Sequence, residues 1–233
     1  MSVTLAFDVY GTLINTQGVI LTLHGMIGNQ AEEFSRIWRD KQLEYSFRRG
    51  LMQNYEKFSV CTSNALDFTC SILKISLTNE QKENLLTCYR TLPAFNDVAV
   101  GLKQLKSSGF RVYAFSNGSS DAVEELLVSA GIRDHFIGVI SVDDIKSFKP
   151  NPAVYSYFLK KSGSSCNDTW LISSNPFDVI GAISAGMKSA WVQRSKDAVF
   201  DPWGVKPTIV VNNLNELGEN ISRWQLGNQQ LTR

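Results

Sequence analysis

Asp8 stands directly after a mostly apolar run, residues 3–7, and directly before a glycine-bearing turn, Val9-Tyr10-Gly11-Thr12. A run of that kind reads as a buried parallel strand, so Asp8 falls where the strand ends and the chain turns. In open α/β sheets that edge is where ligands bind, although aspartate is also a common cap of the segment that follows. Three later stretches deliver polar groups to equivalent points: Ser116 and Asn117, Lys149, and Ser173 with Asn175 and Asp178. Singly, serine and asparagine at strand ends are turn residues. Together, two carboxylates, a lysine and several neutral hydrogen-bond donors on one edge make a shared active site.

The elements that must hold these residues are legible in outline. From Pro93 onward strands and helices alternate, with strands expected at 111–116, 136–142, 169–173, 189–193 and 208–211. Asp97 can cap one intervening helix, Ser119 to Asp121 start another, and Asn175 with Pro176 opens a third. A short helix is expected from Asn213, with a frayed polar tail at 227–233. Such alternation implies an α/β fold, a doubly wound, Rossmann-like parallel sheet with right-handed crossovers.

Between the first strand and Pro93 the pattern is helical instead, at 19–27, 32–52, 58–73 and 79–91, the last opened by Thr78-Asn79-Glu80-Gln81. The expected organisation is a core of residues 1–16 and 93–233 with an all-helical cap, 17–92, inserted after the first strand. On the helix at 32–52, Phe34, Trp38, Tyr45 and Met52 share one stripe, the expected core face. Arg39 and Leu43 fall far round from it, with Phe47 beyond. That grouping fits a second buried contact over a cleft, and equally an ordinary solvated arginine beside a stray leucine.

Composition narrows the function classes. The chain has 233 residues, 43% hydrophobic and 19% charged, with a net charge of +1, as in an ordinary globular protein with ample core. Its basic residues are scattered, so no nucleic-acid or membrane-surface partner is expected. No apolar run approaches the roughly 18 residues of a membrane span, and a cytoplasmic location is expected. Cys61, Cys70, Cys88 and Cys166 form no CxxC pair and are expected as reduced thiols. His24 and His135 are expected to be structural.

The four motifs, Asp8-x-Tyr10-Gly11-Thr12-Leu13, Ser116-Asn117-Gly118, Lys149-Pro150 and Ser173-Ser174-Asn175-x-x-Asp178, resemble those of the haloacid dehalogenase superfamily. More closely they resemble its L-2-haloacid dehalogenase branch, as do Arg39-Asp40-Lys41-Gln42-Leu43-Glu44-Tyr45, Phe58, Ser141-Val142-Asp143 and Tyr155. The resemblance implies hydrolysis of (S)-2-haloalkanoic acids to (R)-2-hydroxyalkanoic acids and halide, through an ester on Asp8. It implies no cofactor and no metal, a small-molecule haloalkanoate as partner, and a homodimer.

The resemblance also assigns roles. Thr12 and Ser173 orient Asp8. Lys149 supplies counter-charge between two anions, nucleophile and substrate, whose repulsion is about 4 kcal/mol at ~4 Å and an effective dielectric of about 20. Ser116, Asn117 and the N–H groups of Val9 and Tyr10 hold the substrate carboxylate. Arg39 receives the departing halide, with Asn117 and Phe177 completing its cradle. Leu43, Phe58 and Tyr10 line a pocket for the alkyl part. Asn175 and Asp178 position water, and Tyr155 supports Lys149 or Asp178.

Two rivals stand beside this expectation: a magnesium-dependent small-molecule phosphatase, the commonest activity in the superfamily, and a non-catalytic relative. The phosphatases carry a second aspartate two residues after the nucleophile, a general acid for an alkoxide leaving group. Tyr10 occupies that position here. Alkoxide is strongly basic and benefits from a proton; chloride and bromide need none. Mg²⁺ prefers carboxylate and water oxygens, whereas the fourth motif offers neutral Ser173, Ser174 and Asn175 before Asp178.

Overall fold

The structure, a computed structural model, describes residues 2–231. Among them the strands are β1 (Thr4–Phe7), β2 (Arg111–Ser116), β3 (Gly138–Ser141), β4 (Thr169–Ser173), β5 (Lys188–Val192) and β6 (Ile209–Val211). They form one sheet in the order β3-β2-β1-β4-β5-β6, each neighbouring pair parallel. In register, Phe7 lies opposite Ala114 on one side and Ile172 on the other. One residue further on, Asp8 is level with Phe115 and Ser173, so the ends of the three central strands meet at one edge.

Side chains alternate across the pleat. Leu5, Phe7, Ala114, Trp170 and Ile172 belong to one buried cluster, and Ala6, Phe115 and Leu171 to another on the opposite face. Helices cover both faces, which makes the sheet doubly wound, as expected from the alternation. After β1 come α1 (Ile20–Ile27), α2 (Ala31–Leu51), α3 (Phe58–Leu73) and α4 (Asn79–Cys88), and then α5 (Val98–Ser107) leads into β2. The rest are α6 (Ser120–Ser129), α7 (Pro152–Ser162), α8 (Pro176–Ser184) and α9 (Leu217–Leu231). The first apolar cluster runs from β1 through Leu13 and Val19 to Phe34 and Trp38 of α2, so sheet and inserted helices share one core.

Local chemistry accounts for the inserted helices. Thr78 and Gln81 form a reciprocal capping box at α4: Gln81 N–H donates to Thr78 Oγ1 at 3.2 Å, and Thr78 N–H to Gln81 Oε1 at 2.9 Å. α2 and α3 are joined by buried polar contacts as well as apolar ones. Trp38 Nε1 donates to the Thr62 carbonyl at 2.9 Å, and Gln42 Nε2 to Thr62 Oγ1 at 2.5 Å.

Several expectations are corrected. Met52 does not join the stripe of Phe34 and Trp38: α2 ends at Leu51, and Met52 is its exposed C-cap, while Tyr45 is only half-buried. Asp97 precedes α5 but makes no side-chain cap; its carboxylate is held by Arg194. Asn175 stands at the N-cap of α8 without capping it, because its amide faces Asp8. β3 is shorter than the apolar run 136–142, since 3₁₀ turns enclose it on both sides. The segment after Asn213 is a long helix rather than a short one with a frayed tail. Buried Leu217 and Ile221, and Trp224 packed edge-on to Trp170 at 5.2 Å, anchor it to the sheet. Residues 232–233 of the expected tail lie outside the described residues.

The four cysteines are free thiols, Cys61 and Cys70 buried and Cys88 and Cys166 half-buried. Among the described residues no helix is long and apolar enough to cross a membrane.

Candidate active site

Asp8 is fixed by the backbone before its side chain does anything. Its N–H donates to the Ile172 carbonyl at 2.9 Å, extending the β1–β4 ladder by one residue. The chain then turns sharply: Gly11 has φ +87°, a left-handed conformation that a side chain disfavours. Leu13 N–H returns to the Val9 carbonyl at 3.0 Å. The turn brings Thr12 Oγ1 to Asp8 Oδ2 at 2.8 Å. Ser174 N–H donates to the same threonine oxygen at 2.8 Å, which leaves the threonine proton for Asp8.

The two oxygens of Asp8 differ. Oδ2 accepts from Thr12, from Asn175 Nδ2 at 2.7 Å and, at 3.4 Å, from Ser173 Oγ. Oδ1 accepts only from Lys149 Nζ, at 3.1 Å, among the described residues. One oxygen is locked and the other keeps a free lone pair.

Lys149 is buried. Besides Asp8, its ammonium donates to Asp178 Oδ2 and to the Phe115 carbonyl, each at 2.8 Å. All three of its protons are therefore engaged. That refines the expected role: Lys149 lies beside Asp8, but it can offer an incoming anion its charge and no hydrogen bond. Burial alone would push the lysine pKa down; Asp178 and Asp8 override it and hold the pKa above its ordinary value. Asp178 is also fully buried, and burial pushes its carboxyl up despite the adjoining lysine. Tyr155 Oη donates to Asp178 Oδ1 at 2.8 Å. Gly181 permits that contact, since a Cβ there would lie 2.4 Å from Tyr155 Oη.

Asp8 opens onto a small cavity of about 10 Å³. Ser116, Asn117, Lys149 and Asn175 line it from the sheet edge, and Arg39, Leu43 and Phe58 from α2 and α3. Tyr10 and Phe177 complete the wall. The second face of α2 is thus a half-buried contact over the cleft, and Phe47 beyond it packs on Phe177 at 5.0 Å between ring centres. Val9, Thr12, Ser173, Tyr155 and Asp178 do not line this cavity; Thr12 and Ser173 bond to Asp8 and Asp178 to Lys149, which do, and Tyr155 supports Asp178. The Val9 and Tyr10 N–H groups have no partner within the protein among the described residues.

Asn117 Oδ1 accepts from Lys149 N–H at 2.9 Å, so its amide nitrogen is left for the cavity. Ser116 Oγ accepts from Gly118 N–H at 3.1 Å and keeps its proton. Arg39 donates to Gln42 Oε1 at 2.7 Å and to the Tyr10 carbonyl at 3.3 Å. Tyr10 replaces an acid with a phenol whose pKa burial pushes up to about 12, so it stays neutral near pH 7.

Mg²⁺, which the superfamily's phosphatases require, does not suit these donors. The amide nitrogen of Asn175 points at Asp8 Oδ2, and the Lys149 ammonium bridges Asp8 to Asp178. Both donors meet the carboxylates where a cation would have to bind.

Two contributors escaped sequence reasoning. Gln42 is buried and joins Arg39 to Thr62 of α3. Arg194, just past β5, donates to the Thr12 carbonyl from Nε at 3.1 Å and from Nη2 at 2.6 Å. Its Nη1 grips both Asp97 oxygens, at 2.7 and 2.8 Å. The signal for Arg194 was its place at another strand end; that for Gln42 was its place within the stretch 39–45 that carries the resemblance.

The haloacid dehalogenase-like hydrolase family matches residues 3–186. The chain is 36% identical to an (S)-2-haloacid dehalogenase of Pseudomonas putida over 94% of its own length and 95% of that protein's. It is 37% identical to one of Pseudomonas fluorescens, over 94% of each. Its fold superposes with a TM-score of 0.89 on the L-2-haloacid dehalogenase of Xanthobacter autotrophicus with chloropropionic acid covalently bound. That likeness comes at 30% identity, over 95% of this chain and 99% of that one. The chain belongs to the haloacid dehalogenase-like hydrolases, in the branch of the (S)-2-haloacid dehalogenases.

Proposed function

We propose that this hydrolase converts (S)-2-haloalkanoic acids to (R)-2-hydroxyalkanoic acids and halide, residues 17–92 acting as a cap over the core. The observation that carries the proposal is the asymmetry of Asp8: Oδ2 held by up to three donors, Oδ1 free to react, and Arg39 across the same cavity. Oδ1 attacks C2 opposite the halogen; the C–O bond forms as the carbon–halogen bond breaks, halide leaves with the electron pair, and C2 inverts. Charge growing on the halogen meets the Arg39 guanidinium, with Asn117 and Phe177 beside it. The amide of Asn117, the Ser116 hydroxyl and the N–H groups of Val9 and Tyr10 hold the substrate carboxylate. Leu43, Phe58 and Tyr10 enclose the alkyl group.

In the second step water attacks the Asp8 carbonyl carbon and the acyl–oxygen bond breaks, releasing the hydroxy acid and restoring the carboxylate. Once Asp8 is an ester it carries no charge, and Lys149 is paired with Asp178 alone. Asp178, made more basic by burial, is the carboxylate left to receive a proton from that water and return it to the departing 2-alkoxide, the water's second proton passing to solvent as the Asp8 carboxylate re-forms. Asn175 orients the water.

Halide release from (S)-2-chloropropionate in the presence of a chelator tests this proposal. The expected result is turnover that ignores the chelator and vanishes in Asp8→Asn with the circular dichroism spectrum intact. Chelator-sensitive phosphate release without halide release, or full activity in Asp8→Asn, contradicts it.

A further inference from the structure

The catalytic cavity is constricted. At about 10 Å³ it holds a single water at most, so a haloalkanoate needs a wall that moves. Beside it lies a much larger cavity of about 530 Å³, between α3 and α4 on one side and the start of α6 on the other. The two cavities have Tyr10 and Phe58 as common walls. These rings lean on each other with centres 6.0 Å apart, and Phe58 rests on Phe148 at 6.3 Å. Neither ring is tethered by a hydrogen bond among the described residues, since Tyr10 Oη has no partner. Arg39, Asn117, Lys149 and Asn175, in the other walls, are all hydrogen-bonded in place. Leu43 and Phe177 also lack such a tether, but they do not border the outer cavity, so Tyr10 and Phe58 are the untethered walls that face open space.

The outer cavity is chemically suited to an anion in transit. Lys57 and Arg90 stand at its margin, both exposed, against the single carboxylate of Glu83. Between them and the rings lie hydroxyl and apolar groups, among them Ser59, Ser119, Leu86 and Ala122. Its volume falls in the range of small-molecule sites.

We propose that this cavity is the access vestibule of the active site. 2-Haloalkanoate anions collect there, drawn by Lys57 and Arg90, and reach Asp8 when the Tyr10 and Phe58 rings turn aside. Halide and hydroxy acid leave the same way. This inference rests on the haloalkanoate reading of the site.

A reversible plug tests it. Ala122→Cys places a thiol on the vestibule wall for labelling with methyl and then benzyl methanethiosulfonate, with wild type treated alike to account for the native cysteines. The benzyl label, verified by mass, is expected to lower kcat/KM for (S)-2-chloropropionate by about tenfold or more, the methyl label by less, and reduction to restore it. In the unlabelled enzyme, Lys57→Gln with Arg90→Gln should lower kcat/KM about threefold at low ionic strength and flatten its salt dependence, with kcat unchanged. Unchanged kcat/KM in both the benzyl-labelled and the charge-neutralised enzyme, with halide release intact, overturns the vestibule alone. Absence of halide release from the unlabelled wild type overturns the haloalkanoate reading, and the vestibule with it.

Discussion

In the proposed mechanism Asp8 is the nucleophile, and its neighbours treat its two oxygens differently. The donors on Oδ2 fix the plane of the carboxylate and leave Oδ1 as the atom proposed to attack. Across the cavity, Arg39 is held by Gln42 and the Tyr10 carbonyl, its further N–H groups unengaged among the described residues, which preorganises it for the proposed role of receiving developing negative charge. Arg39→Gln is expected to lower kcat by about 10²-fold, with a smaller change in KM, in a steady-state halide-release assay. As the proposed acceptor of the water proton, Asp178 sets the expected pH dependence. Burial pushes its pKa up, while the hydrogen bond from Tyr155 favours the charged form and pulls it down. Removing that bond therefore raises the pKa further. In Tyr155→Phe the acid-side fall of kcat should move to higher pH, as measured by a kcat–pH profile; a limb that stays in place or moves down contradicts the role given to Asp178.

At the scale of elements, the site is a set of strand ends tied to one another across long stretches of sequence. Thr12 orients Asp8, Ser174 orients Thr12, and Arg194 holds the Thr12 carbonyl while Asp97 holds Arg194. Asp97 also accepts Leu214 N–H at 2.7 Å, linking the nucleophile turn to the chain just past β6. Arg194→Met is expected to reduce kcat about tenfold, since a misplaced nucleophile loses near-attack geometry, while KM for (S)-2-chloropropionate changes little. Asp97→Asn in the same chain should add little, because the two side chains act as one unit.

Asp8 was legible as a polar residue ending an apolar run, Lys149, Asn175 and Asp178 as polar residues in the segments that follow such runs, and the helices of residues 17–92 from their periodicity and the Thr78–Gln81 box. Arg194 was not, because its meaning depends on Thr12, which is remote in sequence. The occupation of all three Lys149 protons was equally hidden, since it depends on the Phe115 carbonyl and on Asp178 at once. The length of α9 was missed because its polar composition masks the few anchors, Leu217, Ile221 and Trp224, that dock it.

For the molecule as a whole, the parallel sheet aligns its carboxyl ends at one edge, and the inserted helices close that edge into a cavity too small for bulk water. Exclusion of solvent suits the first step, in which a carboxylate must outcompete water for C2. The second step then needs one admitted water, directed at the Asp8 carbonyl rather than at the substrate. The central claim is that oxygen reaches the product by way of Asp8, and a single turnover in heavy-oxygen water with enzyme in excess over (S)-2-chloropropionate tests it most directly. Mass spectrometry should find the label in the peptide containing Asp8, with the 2-hydroxypropionate of that turnover unlabelled. Label in the hydroxy acid and none in Asp8 would mean that water attacks C2 itself, and would contradict the ester route.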